Sequence, residues 1–453
     1  MRDVPSERSK PRSGGNTLDK RPTRKNNVAV PSDAASSCFR IGAVWSLLSV
    51  GACESDCIDG ESLWSTAAMP AAISVCGDLV VTGRSQENLQ VLASVKEIGG
   101  GLYVYDNPLI TEIPALSGLS HLGGPLSISG NEALISVRGF PALVQLEGGV
   151  YVGENPRLAD FQLGEGVETV ESVFFALNPE LTEVRGDFTE VDGSFTVVEN
   201  AALVRIEMPA LTTLARHLHI GGNPSLNFID FPVLDTLKGT LRIEDNDALQ
   251  KMPGFAALAE AAGVRITDND VLREVRLFSP LSVSGLFFVG GNVGLLRISV
   301  GEKATFAQES SILIHDHPVL ETIDGFGAVN SVTSLRIWRN DNLREVSAFA
   351  ALASIAGPLE IIDNPTLTGP AEWFPSLRTV EDLSIHQNPG LAPAVVDALL
   401  GHVTVMGATR VGDNQGEDTA LDPCPWANDG ICDGVSSRYT TALCAKDPGD
   451  CGE

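Results

Sequence analysis

The sequence has no cysteine between residues 77 and 423, few aromatics and few cations, and each shortage excludes something. Aromatic residues make up only 6%, while 45 Gly and 26 Pro point to many turns and short strands. Lys and Arg number 31 against 58 Asp and Glu, a net charge of −27. The first 40 residues hold nine of the bases and four of the acids, so residues 41–453 carry 22 − 54 = −32. Phosphate binding needs clustered cations, and a body this acidic argues against nucleic acid as a partner. There is no H-E-x-x-H, no G-x-S-x-G and no phosphate-binding Gly-Lys loop. No apolar run reaches the ~20 residues that a membrane-spanning helix needs. What is present, 43% hydrophobic and 20% charged residues over 453 positions, describes a folded chain. By length alone it would hold about three domains.

Residues 1–37 are rich in Arg, Lys, Ser, Pro and Asn without apolar periodicity and read as a disordered leader. Cys38-Phe39-Arg40 then precedes an apolar run from Ile41 to Ala52 that ends at Cys53. A basic flank, a short apolar stretch and small residues before a cysteine form a secretory signal pattern over 38–53. Val50-Gly51-Ala52-Cys53 resembles the lipobox of bacterial lipoproteins, which implies that Cys53 receives a lipid. The other reading is a short buried segment of the folded chain. A signal this late points either to a start codon placed too far upstream or to an atypical signal.

Eight cysteines stand at 38, 53, 57, 76, 424, 432, 444 and 451. Confinement to the two ends fits an exported repeat protein with stapled caps. With Cys53 lipidated and Cys38 removed, six remain. Cys57 and Cys76 would then close an N-terminal cap over 54–76, and Cys424, Cys432, Cys444 and Cys451 would pair among themselves. A zinc site is the weaker alternative, because no C-x-x-C pair exists and no histidine stands among them.

One pattern, L-x-I-x-x-N-x-x-L-x-x-I, fills the middle of the chain, in forms such as LYVYDNPLITEI, LSISGNEALISV and LRIWRNDNLREV. Its asparagine falls at Asn107, Asn131, Asn155, Asn178, Asn200, Asn223, Asn246, Asn269, Asn292, Asn340, Asn364 and Asn388, with His317 in its place once. Thirteen copies give a period of about 23 residues, in the leucine-rich-repeat range. Degenerate copies ending at Arg84 and Asn414 read as capping coils. In L-x-I the two apolar residues share one face of a short strand. The asparagine turns inward, where its amide satisfies backbone groups of its own and neighbouring coils. Apolar residues three and six positions later fill the next side, and segments such as FPALVQL and FPVLDTL supply a further corner. No helical periodicity recurs, so the return side is expected to be extended. The expectation is an all-β fold: a right-handed parallel β solenoid over 77–415, with a small disulfide-rich module at 422–453.

These coils resemble the receptor L domain, the ligand-binding solenoid of insulin-receptor and growth-factor-receptor ectodomains, and L-x-I-x-x-N-P-x-L also resembles fungal cell-wall proteins of that superfamily. The resemblance covers about residues 77–415. It implies the fold and a surface-binding role but names no ligand, since members bind proteins or glycans.

Residues four and two positions before each asparagine alternate away from the core and form two outward columns. Tyr103, Tyr105, Tyr151 and Phe174 cluster at the N-terminal end of these columns. Arg242, Arg265, Phe288, Arg336 and Trp338 form a cationic-aromatic strip further on. Arg and aromatics are the usual anchors of interfaces, and aromatics stack on sugar rings. Against this stands ordinary strand preference for aromatics and coverage of a sheet by arginine stems. The asparagine row reads as structural, and the acids before it, such as Asp106, Asp245 and Asp268, as turn formers rather than a calcium row.

The C-terminal CPWANDGICDGVSSRYTTALCAKDPGDC resembles the calcium-binding module of Notch-type receptors, with four cysteines where that family has six. The resemblance implies Asp447 and Asp450 as Ca2+ ligands, with Asn428, Asp429 and Asp433 behind them. A disulfide-closed acidic cap without metal is the alternative. No other cofactor is expected. Together these features point to a lipid-anchored surface protein that binds a protein or glycan without catalysis. A structural envelope spacer and a carbohydrate-active β-helix enzyme are the alternatives. The oligomeric state is not legible.

Overall fold

The computed structural model describes residues 57–65, 72–252, 255–277, 280–369, 373–412 and 414. The chain divides into two units, Met1–Glu54 and Ser55–Glu453, and every described residue belongs to the second. The leader, the signal segment with Cys53, and the module carrying Cys424, Asn428, Asp429, Cys432, Asp433, Cys444, Asp447, Asp450 and Cys451 lie outside the described residues.

The described residues form a parallel β solenoid. Each coil contributes one strand to a main sheet, beginning Leu79–Val81, Leu102–Tyr105, Leu126–Ser129, Val150–Gly153, Val173–Ala176 and Phe195–Val198 and ending at Thr409–Gly412. Pairing is parallel and in register, so Leu102 lies beside Leu126 and Leu126 beside Val150. Both capping coils join this sheet, at Leu79–Val81 and Thr409–Gly412. The return side is extended, as its sequence implies: short parallel strands such as His121–Leu122 and Gln145–Leu146 stack on a second side. Glu183–Arg185, Arg205–Glu207 and Phe228–Asp230 do so on a third. In Thr236–Glu244 two sides merge into one strand, with a register shift between Leu237 and Thr240. Among the described residues one α-helix occurs, Pro393–Leu400 in the last full coil, and no helix is long and apolar enough to cross a membrane.

The core runs through the middle of the coils. After Asn131, Leu134 and Val137 are fully buried, and the corner segment Phe140-Pro141-Ala142-Leu143 adds Phe140 and Leu143. A phenylalanine stack continues along the axis, with Phe231 on Phe255 at 5.5 Å and Phe326 on Phe349 at 4.7 Å between ring centroids. No coil can bury these side chains alone, so each stabilises its neighbours. The Cys57–Cys76 disulfide closes the N-terminal end, and Cys57–Ile58 pairs with Ile73–Val75 at the start of the second side.

The asparagines line the inner corner as a hydrogen-bonded ladder. Asn155 Nδ2 donates to the Gly153 carbonyl of its own coil at 2.9 Å and to the Ile128 carbonyl of the preceding coil at 3.0 Å. Its Oδ1 accepts from the backbone N and Nδ2 of Asn131, both at 3.1 Å. The row starts with Arg84 N donating to Asn107 Oδ1 and ends on Asn414. The residue before the asparagine takes a left-handed conformation coil after coil, with φ of 53° at Asp106, 52° at Asp245, 57° at Leu177 and 64° at Gly130. Asp and Gly tolerate that region best, which gives the acidic residues at this corner their local reason.

Candidate binding face

The outward columns exist as strand alternation dictates. In the first, Tyr103, Ser127, Tyr151, Phe174 and Thr196 stand side by side. In the second, Tyr105, Ser129, Gly153, Ala176 and Val198 do. Tyr105 and Phe174 are each 38% exposed, and Tyr103 and Tyr151 are half-buried. The two tyrosines share one posture. A Cβ built on Gly101 would lie 2.6 Å from Tyr103 Cε2, and one on Gly149 would lie 2.7 Å from Tyr151 Cε2. Each ring is therefore laid back along its own strand over the glycine two residues earlier, where no larger residue fits. Burial, then Asp78 and Tyr151, raise the Tyr103 pKa; burial and Glu171 raise that of Tyr151 against a hydrogen bond to Ser172. Both hydroxyls thus stay neutral at physiological pH, and none of these ten outward residues carries a charge.

Further along, the same face has a different character. Arg242 pairs with Glu244 at 2.7 Å, and His219 Nε2 lies 2.9 Å from the same Glu244 Oε1. Burial disfavours the Glu244 carboxylate, but His219 and Arg242 outweigh it and its pKa falls. Arg265 lies over the Phe288 ring at 4.5 Å, and Phe288 continues through His315 to Trp338 with centroid separations of 4.9 Å at both steps. Arg336 lies 6.0 Å from the Trp338 ring centroid and pairs with Glu360 at 3.4 Å. His315 Nδ1 lies 2.8 Å from Asp316 Oδ2, and Arg339 also pairs with Asp316.

The structure therefore brings Arg265, Phe288, Arg336 and Trp338 together through His315, while Arg242, beside Arg265 on the adjacent strand, pairs with Glu244. Phe288 and Trp338 are only 3% and 2% exposed and form a small cluster with Leu313 and Ile362 separate from the main core. Alternation assigns a side chain to a face but not a depth, and here large side chains on successive strands shield one another. His219, Glu244, His315 and Glu360 stand in the same outward columns and complete these contacts. Their signal was in the columns, where opposite charges stand two residues apart or on adjacent strands.

His317 stands in the ladder and is fully buried. Its Nδ1 lies 3.2 Å from the Asn292 carbonyl and its Nε2 lies 3.1 Å from that of Val289. A neutral imidazole carries one N–H and bonds only one of them. Burial pushes its pKa down to about 4. Asn340 Oδ1, whose counterparts in the other asparagine coils accept from the residue one coil earlier, is buried without a donor.

Two other features gather acidic residues. An open cleft of about 520 Å³ lies between residues 159–165 and 182–187, lined by Asp160, Glu165, Thr182, Glu183, Arg185 and Asp187, with no histidine among them. The acidic corner row offers, among the described residues, no group of three or more His, Cys, Asp or Glu placed to hold a metal ion.

No protein-family model matches this sequence, and no curated protein is similar to it. Among solved structures, the chain is similar to a leucine-rich repeat protein from Bacteroides ovatus at 11% identity, covering 76% of this chain and 97% of that one with a TM-score of 0.19. It is also similar to YopM from Yersinia enterocolitica at 12% identity, covering 72% of this chain and 85% of that one with a TM-score of 0.17. At these scores the fold rests on the coils themselves, which form a parallel β solenoid of leucine-rich-repeat-like period.

Proposed function

We propose that this chain is a non-catalytic binding protein, exported and held at the cell surface, which recognises a protein or glycan on the outward face of its main sheet. The observation that carries this reading is the uncharged patch of Tyr103, Tyr105, Tyr151 and Phe174, two of them more than a third exposed, in a chain of net charge −27. Large aromatics held open on a rigid sheet cost little entropy on binding and are typical interface anchors. The Arg265–Phe288–His315–Trp338–Arg336 stack instead supports the sheet beneath, since its rings are buried and Arg336 already has a carboxylate partner. The Cys57–Cys76 disulfide supports an oxidising compartment. Lipidation at Cys53 and calcium in the C-terminal module remain parts of the proposal that rest on the sequence.

The test is capture from an envelope extract by the purified full chain, with and without EDTA, beside a Tyr105→Ala/Phe174→Ala variant. The expected result is a saturable component that the variant loses while its melting temperature stays within a few degrees. No captured component under either condition would turn the reading to a structural spacer.

A further inference from the structure

We infer that the ligand of this face is an uncharged, extended β-linked glycan laid across the strands, with alternate sugars stacked on Tyr103 and Tyr151. The inference rests on the binding role proposed above and names its partner.

The first argument is spacing. Tyr103 and Tyr151 occupy the same column position two strands apart, with Ser127 between them in register. Two strand spacings amount to roughly 9.6 Å, close to the disaccharide repeat of an extended β-linked chain. Successive sugars in such a chain are turned over by half a rotation. Every second ring therefore presents the same face to the same side. The two tyrosines, laid back identically over Gly101 and Gly149, offer two equivalent platforms at that interval. Between them the sheet is lower, because Ser127 stands where an aromatic would fill the space.

The second argument is chemistry. A pyranose has an apolar face of C–H groups and a rim of hydroxyls. Its face stacks on an aromatic ring, and its rim bonds to neighbouring hydroxyls. Ser127 and Ser129 place hydroxyls in the middle strand, and Phe174 and Tyr105 widen the platform.

The third argument is charge. The ten outward residues from Tyr103 to Val198 in the two columns are all uncharged. The nearest acids, Asp78 beside Tyr103 and Glu171 beside Tyr151, lie outside these columns, and with the net charge of −27 they repel acidic polysaccharides. A neutral, hydroxyl-rich polymer is the complement of a neutral strip.

The probes are cellohexaose, xylohexaose and chitohexaose, with α-linked maltohexaose as the control, titrated into the full chain by calorimetry. At least one β-linked hexamer is expected to bind saturably, its dimer far more weakly, and maltohexaose not at all. Tyr103→Ala and Tyr151→Ala should each weaken binding roughly 3- to 10-fold, the range set by a single aromatic contact. The Phe variants, which keep the ring, should retain binding, and unchanged melting temperatures would show that all variants fold. Ser127→Tyr fills the low strand; it should weaken a chain that needs alternate platforms, whereas mere aromatic stickiness would increase. Failure of all three β-linked hexamers to bind, or binding indifferent to both tyrosines, overturns the inference. If a protein is captured from the extract through the same tyrosines while no glycan binds, the binding face stands and the glycan is wrong. If neither binds, both readings fall.

Discussion

Replacing Asn223 by alanine tests the inner ladder most directly. Asn223 Oδ1 accepts from the backbone N of Asn200 at 3.0 Å and from Asn200 Nδ2 at 3.3 Å. Its Nδ2 donates to the Val197 and Gly221 carbonyls, both at 3.0 Å, and to Asn246 Oδ1 at 3.3 Å. The side chain is fully buried, so alanine leaves the Asn200 N–H in the interior without this acceptor. An orphaned buried donor costs about 1–3 kcal/mol, and each of the two lost carbonyl bonds about 1 kcal/mol. The sum is a loss of about 3–5 kcal/mol. Urea denaturation followed by circular dichroism reads the total, with the slope checked for constancy because stacked repeats can unfold in blocks. Hydrogen exchange should show the loss concentrated in the coils on either side of residue 223. The Asn200→Ala/Asn223→Ala pair should cost less than the sum of the singles, because the two side chains share bonds. A loss below about 1 kcal/mol for Asn223→Ala would refute the ladder as a main source of stability.

Other perturbations probe the remaining features. His317→Asn should re-pair Asn340 Oδ1 and raise stability at pH 7 by about 1 kcal/mol. Because the native His317 pKa is about 4 against 6.5 when unfolded, the unfolded chain binds the extra proton between those values. Wild type should therefore lose up to about 3 kcal/mol as pH falls through that window, and the variant should not; parallel pH profiles would contradict this. Burial and then Asp245 push Asp268 up to about 6 from 3.8, so native Asp268 holds its proton more tightly and stability falls as pH rises through that range. Asp268→Asn should melt higher than wild type at pH 7 and identically below pH 3.8, as thermal scans would show. Cys57→Ser/Cys76→Ser opens a loop closed over a sequence separation of 19 and should cost the N-terminal cap about 3 kcal/mol, read as earlier hydrogen exchange in Ile73–Val75.

The fold was legible because one coil is written many times: a two-residue alternation, an inward asparagine and apolar residues at fixed offsets fix strand, corner and core together. Leu134, Val137 and Phe140 are buried where the offsets put them. The merger of two sides in Thr236–Glu244 was not, since the preceding coil has the same spacing from Leu214 to Leu218 yet keeps two separate strands, and the change comes with the shift in pairing to the next coil, where Leu237–Thr240 faces the shorter Ala261–Gly263. The left-handed corner was half legible. Asp and Gly there suggest a turn, but Leu177 and Arg339 adopt the same φ because the stacked coils impose it. For the outward face, the columns assigned each residue its side correctly. They could not distinguish exposed Phe174 from shielded Phe288, because shielding depends on which large side chains stand on adjacent strands.

Each asparagine bonds only to its own coil and to the coils immediately before and after it. Whole coils are therefore interchangeable units of growth: duplicating or deleting one in phase restores every bond at the new junction, whereas inserting one residue severs the row. Gene copying in multiples of the period can thus lengthen or shorten this protein without redesigning it. The same operation slides the aromatic positions apart in single strand steps, so the spacing presented to a ligand can evolve by counting coils rather than by substituting residues.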